Sequence, residues 1–101
     1  MSSKTVTLEV NGSAVPLSFF VQAFFDNVLD GMVGALESTC TVDTLELKAT
    51  VDDIALTVND SPISLNEFVR QIVRNTAQGM ITSLRGINAV ETFTIRIAGG
   101  R

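Results

Sequence analysis

The chain has 101 residues and is 46% hydrophobic, which is enough apolar surface for one folded domain with a single core. Its formal charge of −4 argues against nonspecific binding to nucleic acid or to an anionic membrane, since both need a basic surface. The sequence contains no His and one Cys, which excludes His-based acid–base catalysis, clustered Cys or His metal sites and a disulfide within the chain.

The first half of the chain reads as strand, helix, strand. Apolar and polar residues alternate over residues 6–10, as in a strand with one buried face. The triplet Asn11-Gly12-Ser13 interrupts this alternation, and apolar residues then recur at helical spacing over residues 17–37. A second alternating segment at residues 45–47 predicts another strand.

The second half repeats this order. Residues 54–58 and 93–97 alternate as strands do, and residues 65–85 carry the helical pattern. Only residues 51–53 separate the two halves, so we expect the second and third strands to form an antiparallel hairpin.

Both ends of the second helix have sequence signals. Ser64 and Glu67 fit a capping box, in which the serine hydroxyl accepts from a free backbone N–H and the glutamate reaches back. Gly86 follows the last helical residues, at a position where a left-handed residue satisfies the final carbonyls. These signals predict where the helix begins and ends.

The two halves are copies of one unit. A shift of 48 residues aligns positions 8–48 with positions 56–96 without a gap and gives 13 identities over 41 positions. We therefore predict a single domain over residues 1–101, made of repeats at about 4–49 and 52–98 and followed by a flexible tail at 99–101.

This order of elements predicts an α+β fold, the ferredoxin-like plait βαββαβ. That plait has four antiparallel strands in the order 4-1-3-2, two helices on one face and a pseudo-two-fold axis between its halves. The open sheet face would carry threonine and charged residues but no aromatic on which an RNA base could stack. Two interpretations of this face stay open, a solvated surface or a flat sheet-to-sheet dimer.

The helices carry matched residues on flanks that should face each other in this plait. The matched residues are Phe20, Asn27 and Gly31 in the first helix and Phe68, Asn75 and Gly79 in the second. A glycine inside a helix costs about 0.5–1 kcal/mol relative to alanine, so two at matched positions suggest a packing role. We expect the glycines to allow close approach of the two helices and the asparagines to pair.

The outward faces of the two helices differ in charge. Asp26 and Asp30 make the first helix acidic, whereas Arg70 and Arg74 make the second helix basic. Two interpretations stay open, solvated faces or complementary faces that meet within one chain or between chains.

The first helix is also more apolar than packing on one sheet requires. Beyond one apolar side that includes Phe20 and Phe24, the additional apolar residues are Phe19, Phe25, Leu29 and Val33. We predict a non-enzymatic protein-interaction or assembly domain acting through the outer face of helix one, with a protein or a second copy as partner. The candidate partner-binding residues are Phe19, Asp26, Asp30, Val33, Arg70 and Arg74.

The alternative function is a small-molecule-binding regulatory domain that uses the two loops predicted between strand and helix. Its candidate ligand-binding residues are Asn11, Gly12, Asn59 and Asp60, although turns use the same residue types for their own geometry. An enzyme is disfavoured because Cys40 has no neighbouring His, Lys or Arg to activate it. Neither a metal nor another cofactor is expected, since both loops lack paired cysteines.

The N-terminal residues show no recognisable targeting segment, so we expect a cytoplasmic protein. Residues 17–36 are apolar enough to raise the question of a membrane span, but polar residues including Asp26 and Asp30 interrupt them. We therefore expect a buried helix and no contact with a membrane.

Residues 58–69 read Val-Asn-Asp-Ser-Pro-Ile-Ser-Leu-Asn-Glu-Phe-Val, and residues 79–86 read Gly-Met-Ile-Thr-Ser-Leu-Arg-Gly. In this pattern each half resembles short single-unit proteins of unknown function associated with archaea. The resemblance brings no activity with it. It implies that one unit alone could pair as a homodimer, of which this chain is a fused version.

Overall fold

A computed structural model of the chain describes residues 5–36, 42–84, 86–87 and 89–98. Cys40 and the predicted tail at residues 99–101 lie outside these residues. In chain order the elements are β1 (Thr5–Val10), β2 (Ser13–Val15), α1 (Phe19–Leu36), β3 (Thr44–Ala49), β4 (Ile54–Val58), β5 (Ser61–Ile63), α2 (Glu67–Thr82) and β6 (Phe93–Ala98).

The predicted ferredoxin-like plait with strand order 4-1-3-2 is wrong. The described strands form one six-stranded antiparallel sheet in the order β2-β1-β6-β3-β4-β5. The α+β class, the two helices and the antiparallel pairing of β3 with β4 are as the sequence predicts.

The short strands β2 and β5 explain the different strand order. Each folds back from a tight turn and pairs with the first strand of its own repeat, β2 with β1 and β5 with β4. Because β4 also pairs with β3, both of its edges are occupied, and β1 keeps one free edge. The last strand, β6, therefore fills the space between β1 and β3, where the predicted order placed the third strand.

Alternate residues of the four long strands are buried and line up in three rows across the sheet. In register, the rows are Val6–Ile97–Leu45–Val58, Leu8–Ile95–Leu47–Leu56 and Val10–Phe93–Ala49–Ile54. Full burial of a valine or leucine side chain stabilises a protein by about 1.5–3 kcal/mol, so these rows are a main source of stability. The period-2 pattern of the sequence thus produces one apolar sheet face.

Each helix covers this face with three fully buried residues at spacing i, i+4, i+8. The stripes are Phe25, Leu29 and Val33 in α1 and Val73, Ala77 and Ile81 in α2, and the second stripe is the first shifted by one repeat. Val33 is only 2% exposed, which corrects its predicted place on the outer face of the first helix.

The helix ends differ in detail from the prediction. The N-cap of α2 is Asn66, whose side chain accepts a hydrogen bond from the backbone N–H of Val69 at 2.8 Å, so the predicted capping box at Ser64 is wrong. Ser18, one repeat earlier, accepts from the N–H of Val21 at 3.3 Å. Gly86 has the expected left-handed backbone, with φ of 87°.

Candidate interaction surface

The two segments predicted as loops between strand and helix are two-residue hairpin turns. Val10 pairs with Ser13 around the first turn, and Val58 pairs with Ser61 around the second. The central residues all have positive φ, 52° at Asn11, 84° at Gly12, 51° at Asn59 and 66° at Asp60. Positive φ at both central residues is the type I′ geometry, which Asn, Asp and Gly adopt most readily.

Asn11 is hydrogen-bonded to the backbone of the other repeat. Its side-chain Oδ1 accepts from the N–H groups of Glu91 at 2.9 Å and Thr92 at 3.0 Å, and its Nδ2 donates to the carbonyl of Ala89 at 2.9 Å. Its own backbone N–H donates to the carbonyl of Thr92 at 2.8 Å. Asn11 therefore fixes the segment that leads into β6.

Asn59 has the equivalent role in the first repeat. Its Oδ1 accepts from the N–H groups of Asp43 at 2.8 Å and Thr44 at 3.0 Å, and its backbone N–H donates to the carbonyl of Thr44 at 2.9 Å. Each asparagine thus braces the segment before the second long strand of the opposite repeat. These structural contacts account for Asn11 and Asn59 without a ligand, and Gly12 and Asp60 complete the turns.

Arg70 and Arg74 bind the turn between β3 and β4. Arg70 Nη1 lies 3.1 Å from Asp53 Oδ1, and Arg74 Nη2 donates to the backbone carbonyls of Thr50 at 2.9 Å and Asp53 at 2.7 Å. Both guanidinium groups are therefore held against their own chain. These contacts give the two arginines a role in fixing the turn, and their role in partner binding stays a prediction.

The helices run antiparallel and enclose two shallow grooves between them. The larger groove, of about 540 Å³, lies between the start of α1 and the end of α2 and is lined by Phe20, Phe24, Gly79 and Met80 among others. The smaller, of about 180 Å³, lies between the end of α1 and the start of α2, with Met32 and Ile72 in its lining. The two grooves are related by the repeat, because Met32 corresponds to Met80 and Ile72 to Phe24.

The side of the helix layer that faces away from the sheet carries no charge. We call it the outer helix surface and define it as Phe20, Phe24, Asn27 and Gly31 of α1 and their copies Phe68, Ile72, Asn75 and Gly79 of α2. All of these residues are exposed, Phe20 at 74% and Phe68 at 70%. The exposed side of a helix in a soluble domain normally carries polar and charged residues.

The glycines on this surface do not bring α1 and α2 together. A Cβ atom added at Gly31 or Gly79 would meet no other atom within 4 Å. Asn27 and Asn75 are exposed as well. The expectation that these glycines serve close packing between the two helices of one chain is therefore wrong.

The predicted contact residues of α1 lie beside the outer helix surface. Phe19, Asp26 and Asp30 follow one another at spacing i, i+7, i+11, on a side of α1 that contributes nothing to the two grooves. Phe19 is 90% exposed and Asp30 is exposed, whereas Asp26 is half-buried. We call these three residues, which contribute two carboxylates and one phenyl ring, the acidic border of the outer helix surface.

The edges of the sheet are poor sites for adding a further strand. The edge strands β2 and β5 have three residues each, and Pro62 in β5 has no N–H to donate. Where β1 extends past β2, Gln22 of α1 covers its edge, since Gln22 Oε1 accepts from the N–H of Val6 at 3.1 Å. The side chains of the open sheet face include an ion pair between Arg96 and Glu46 at 2.8 Å.

Sequence reasoning missed the outer helix surface because it followed identities between the repeats. The identical residues Phe20 and Phe68 suggested a packed flank, but the core stripes consist of pairs that differ, such as Phe25 with Val73 and Leu29 with Ala77. The side of each helix that faces the sheet is instead indicated by residues that are apolar in both repeats and recur at spacing i, i+4, i+8.

By length and composition, α1 is also able to span a membrane. A core helix of a soluble protein meets the same criterion, and Phe25 and Leu29 of α1 pack in the core of the sheet. Asp26 and Asp30 lie in the middle of α1, where a charge in a bilayer is costly.

Comparison with protein-family models, with curated proteins and with solved structures found no match to this chain. The chemistry of the surface described above is therefore the basis for inferring a function.

Proposed function

We propose that this protein is a non-enzymatic interaction domain that binds another protein through the outer helix surface. The observation that carries this proposal is the composition of that surface, which is exposed, uncharged and rich in phenyl rings. Aromatic side chains contribute much of the binding energy at protein interfaces, and contiguous exposed apolar patches mark such interfaces.

The exposed phenyl rings are not needed to complete the core. The three rows of the sheet and the two helix stripes already form one buried cluster, and Phe20 and Phe68 stand outside it. Phe20 and Phe24 form a tilted aromatic pair with ring centroids 6.2 Å apart, which presents a preformed apolar knob beside the larger groove. Because these rings already lie on the helix surface, binding would require little rearrangement.

The charge of the acidic border determines which charges on a partner this surface favours. Asp30 and the half-buried Asp26 run along one side of α1, with Phe19 at the start of the same line. A border of this kind repels anionic partners and favours a protein with neutral or basic residues around its own apolar contact.

Affinity capture from a native lysate, with the chain immobilised at equal loading, tests the proposal. The double variant Phe20→Glu/Phe68→Glu places two charges on the outer helix surface, and Thr7→Glu places one on the open sheet face as a control. We expect the parent chain and Thr7→Glu to retain the same protein and the double variant to lose it. Equal retention by all three chains would refute the proposal, provided that circular dichroism shows all three folded.

A further inference from the structure

We infer that the partner on the outer helix surface is a second copy of this chain. In this dimer the two helix layers stack face to face with their pseudo-two-fold axes in line and with α1 of one copy over α2 of the other, so that four helices form a second apolar layer between two sheets. The acidic border of α1 then lies along the equivalent side of the facing α2, where Glu67, Arg74 and Gln78 carry no net charge. The inference rests on the proposed function and adds the identity of the partner.

The first argument is the symmetry of the surface. The two helices are identical at three exposed positions, Phe20 with Phe68, Asn27 with Asn75 and Gly31 with Gly79. The three buried pairs of the same helices all differ, Phe25 from Val73, Leu29 from Ala77 and Val33 from Ile81. The stability of the fold restricts which residues can occupy buried positions, but it does not explain why exposed residues are identical in the two helices. The simplest physical reason for this identity is a partner that contacts both helices in the same way.

A second copy of the chain supplies such a contact. Its own outer helix surface consists of two like halves around a pseudo-two-fold axis, so both halves of one surface meet the same chemistry. An isologous dimer buries the same patch on both subunits, which is the commonest arrangement of soluble oligomers. A partner without this symmetry would contact the two halves differently.

The second argument is area. The 18 residues of α1 give a length of about 27 Å at 1.5 Å per residue, and two helices side by side are about 20 Å wide. The helix layer therefore offers about 540 Å² in projection on each subunit, close to the lower limit of specific interfaces, about 600 Å² per subunit. This area predicts a reversible dimer that dissociates on dilution.

The third argument is the residue types. Gly31 and Gly79 leave open space above the helix backbone, which lets a helix of the facing copy approach closely. Asn27 and Asn75 lie one turn away, and their amides have donors and acceptors for the same amides of the facing copy. A buried asparagine pair of this kind fixes the register between helices.

Sedimentation velocity from about 1 µM to 1 mM protein tests this inference. The variant Gly31→Gln/Gly79→Gln fills the space above both helices, and it should fold because an added Cβ meets nothing within 4 Å. The control Ala55→Gln changes an exposed residue of the open sheet face. We expect the parent and the control to dimerise with equal dissociation constants and the glycine variant to dimerise at least tenfold more weakly.

Three results would overturn the inference. One is a parent chain that stays monomeric at every concentration, and another is a dimer that Ala55→Gln breaks while the glycine variant keeps it. The third is a monomer that binds vesicles of neutral phosphatidylcholine through the same surface. A monomeric parent chain whose lysate partner is lost in Phe20→Glu/Phe68→Glu would remove the second copy as partner and leave the proposed function standing.

Discussion

At the scale of single residues, Asn11 and Asn59 join the two repeats through hydrogen bonds from side chain to backbone. Each sits at a positive φ that most residues avoid, and the Oδ1 of each accepts hydrogen bonds from two backbone N–H groups of the opposite repeat. The same side chain therefore shapes its own hairpin turn and orders a distant segment.

Replacing Asn11 with alanine removes three side-chain hydrogen bonds and should lower the free energy of unfolding by about 4 kcal/mol. Lost hydrogen bonds contribute about 1 kcal/mol each, and alanine at a left-handed position adds about 1 kcal/mol of strain. Asn11→Gly removes the side chain without this strain and should cost about 1 kcal/mol less. Urea denaturation checks both values, and an unchanged midpoint for Asn11→Ala would disprove the bracing role.

At the scale of elements, the two helices contain glycines that the monomer does not need. Gly31→Ala and Gly79→Ala should each raise the free energy of unfolding by about 0.5–1 kcal/mol, because alanine favours a helix and meets no clash. Gly12→Ala is the matched control, since its Cβ is equally unobstructed but its φ of 84° strains alanine. Thermal unfolding at low micromolar concentration should show opposite signs, and a stabilising Gly12→Ala would contradict this account.

Gln22 of α1 protects the edge of the sheet and holds the start of its helix. Its Oε1 accepts from Val6, and its Nε2 donates to the carbonyl of Leu17 at 3.1 Å. Gln22→Ala should destabilise the protein by about 1–2 kcal/mol and should increase aggregation, because it frees a backbone N–H at a sheet edge. Gln71→Ala, on the exposed side of α2, should do neither. Chemical denaturation and static light scattering separate the two effects.

The sequence predicts the elements better than their arrangement. Alternation and helical spacing identify the four long strands and both helices, because these periods reflect which side is buried. Interpreting Asn11-Gly12 and Asn59-Asp60 as loops between strand and helix gives the wrong strand order, although two such residues between alternating segments are a strong hairpin signal. The outer helix surface was missed because identity between repeats does not distinguish core from exposed positions.

At the scale of the whole molecule, the repeats are interleaved. β6 of the second repeat lies between β1 and β3 of the first, and β3 lies between β6 and β4 of the second. Neither repeat can therefore form a continuous sheet alone. Because the two repeats have similar structures, we expect two copies of the same repeat to form a sheet like the one that the two different repeats form in the full chain.

A peptide of residues 5–49 tests this interleaving. At low concentration it should be unfolded, because β1 and β3 lack the strand between them, and its helical content should rise with concentration as two copies interleave. Circular dichroism over a wide concentration range measures this, with the full chain as reference. A peptide that folds at every concentration as a monomer would show that the repeat is self-sufficient.

The position of β6 also governs when the protein can fold during its synthesis. β6 leaves the ribosome after every other described element, and at about 5–20 residues per second the interval from Thr5 to Phe93 lasts about 4–18 s. Until then the apolar rows of β1 and β3 have no strand to join them, because β6 lies between these two strands. We therefore expect the newly made chain to be most prone to aggregation during this interval, while its apolar strand faces and strand edges are unpaired.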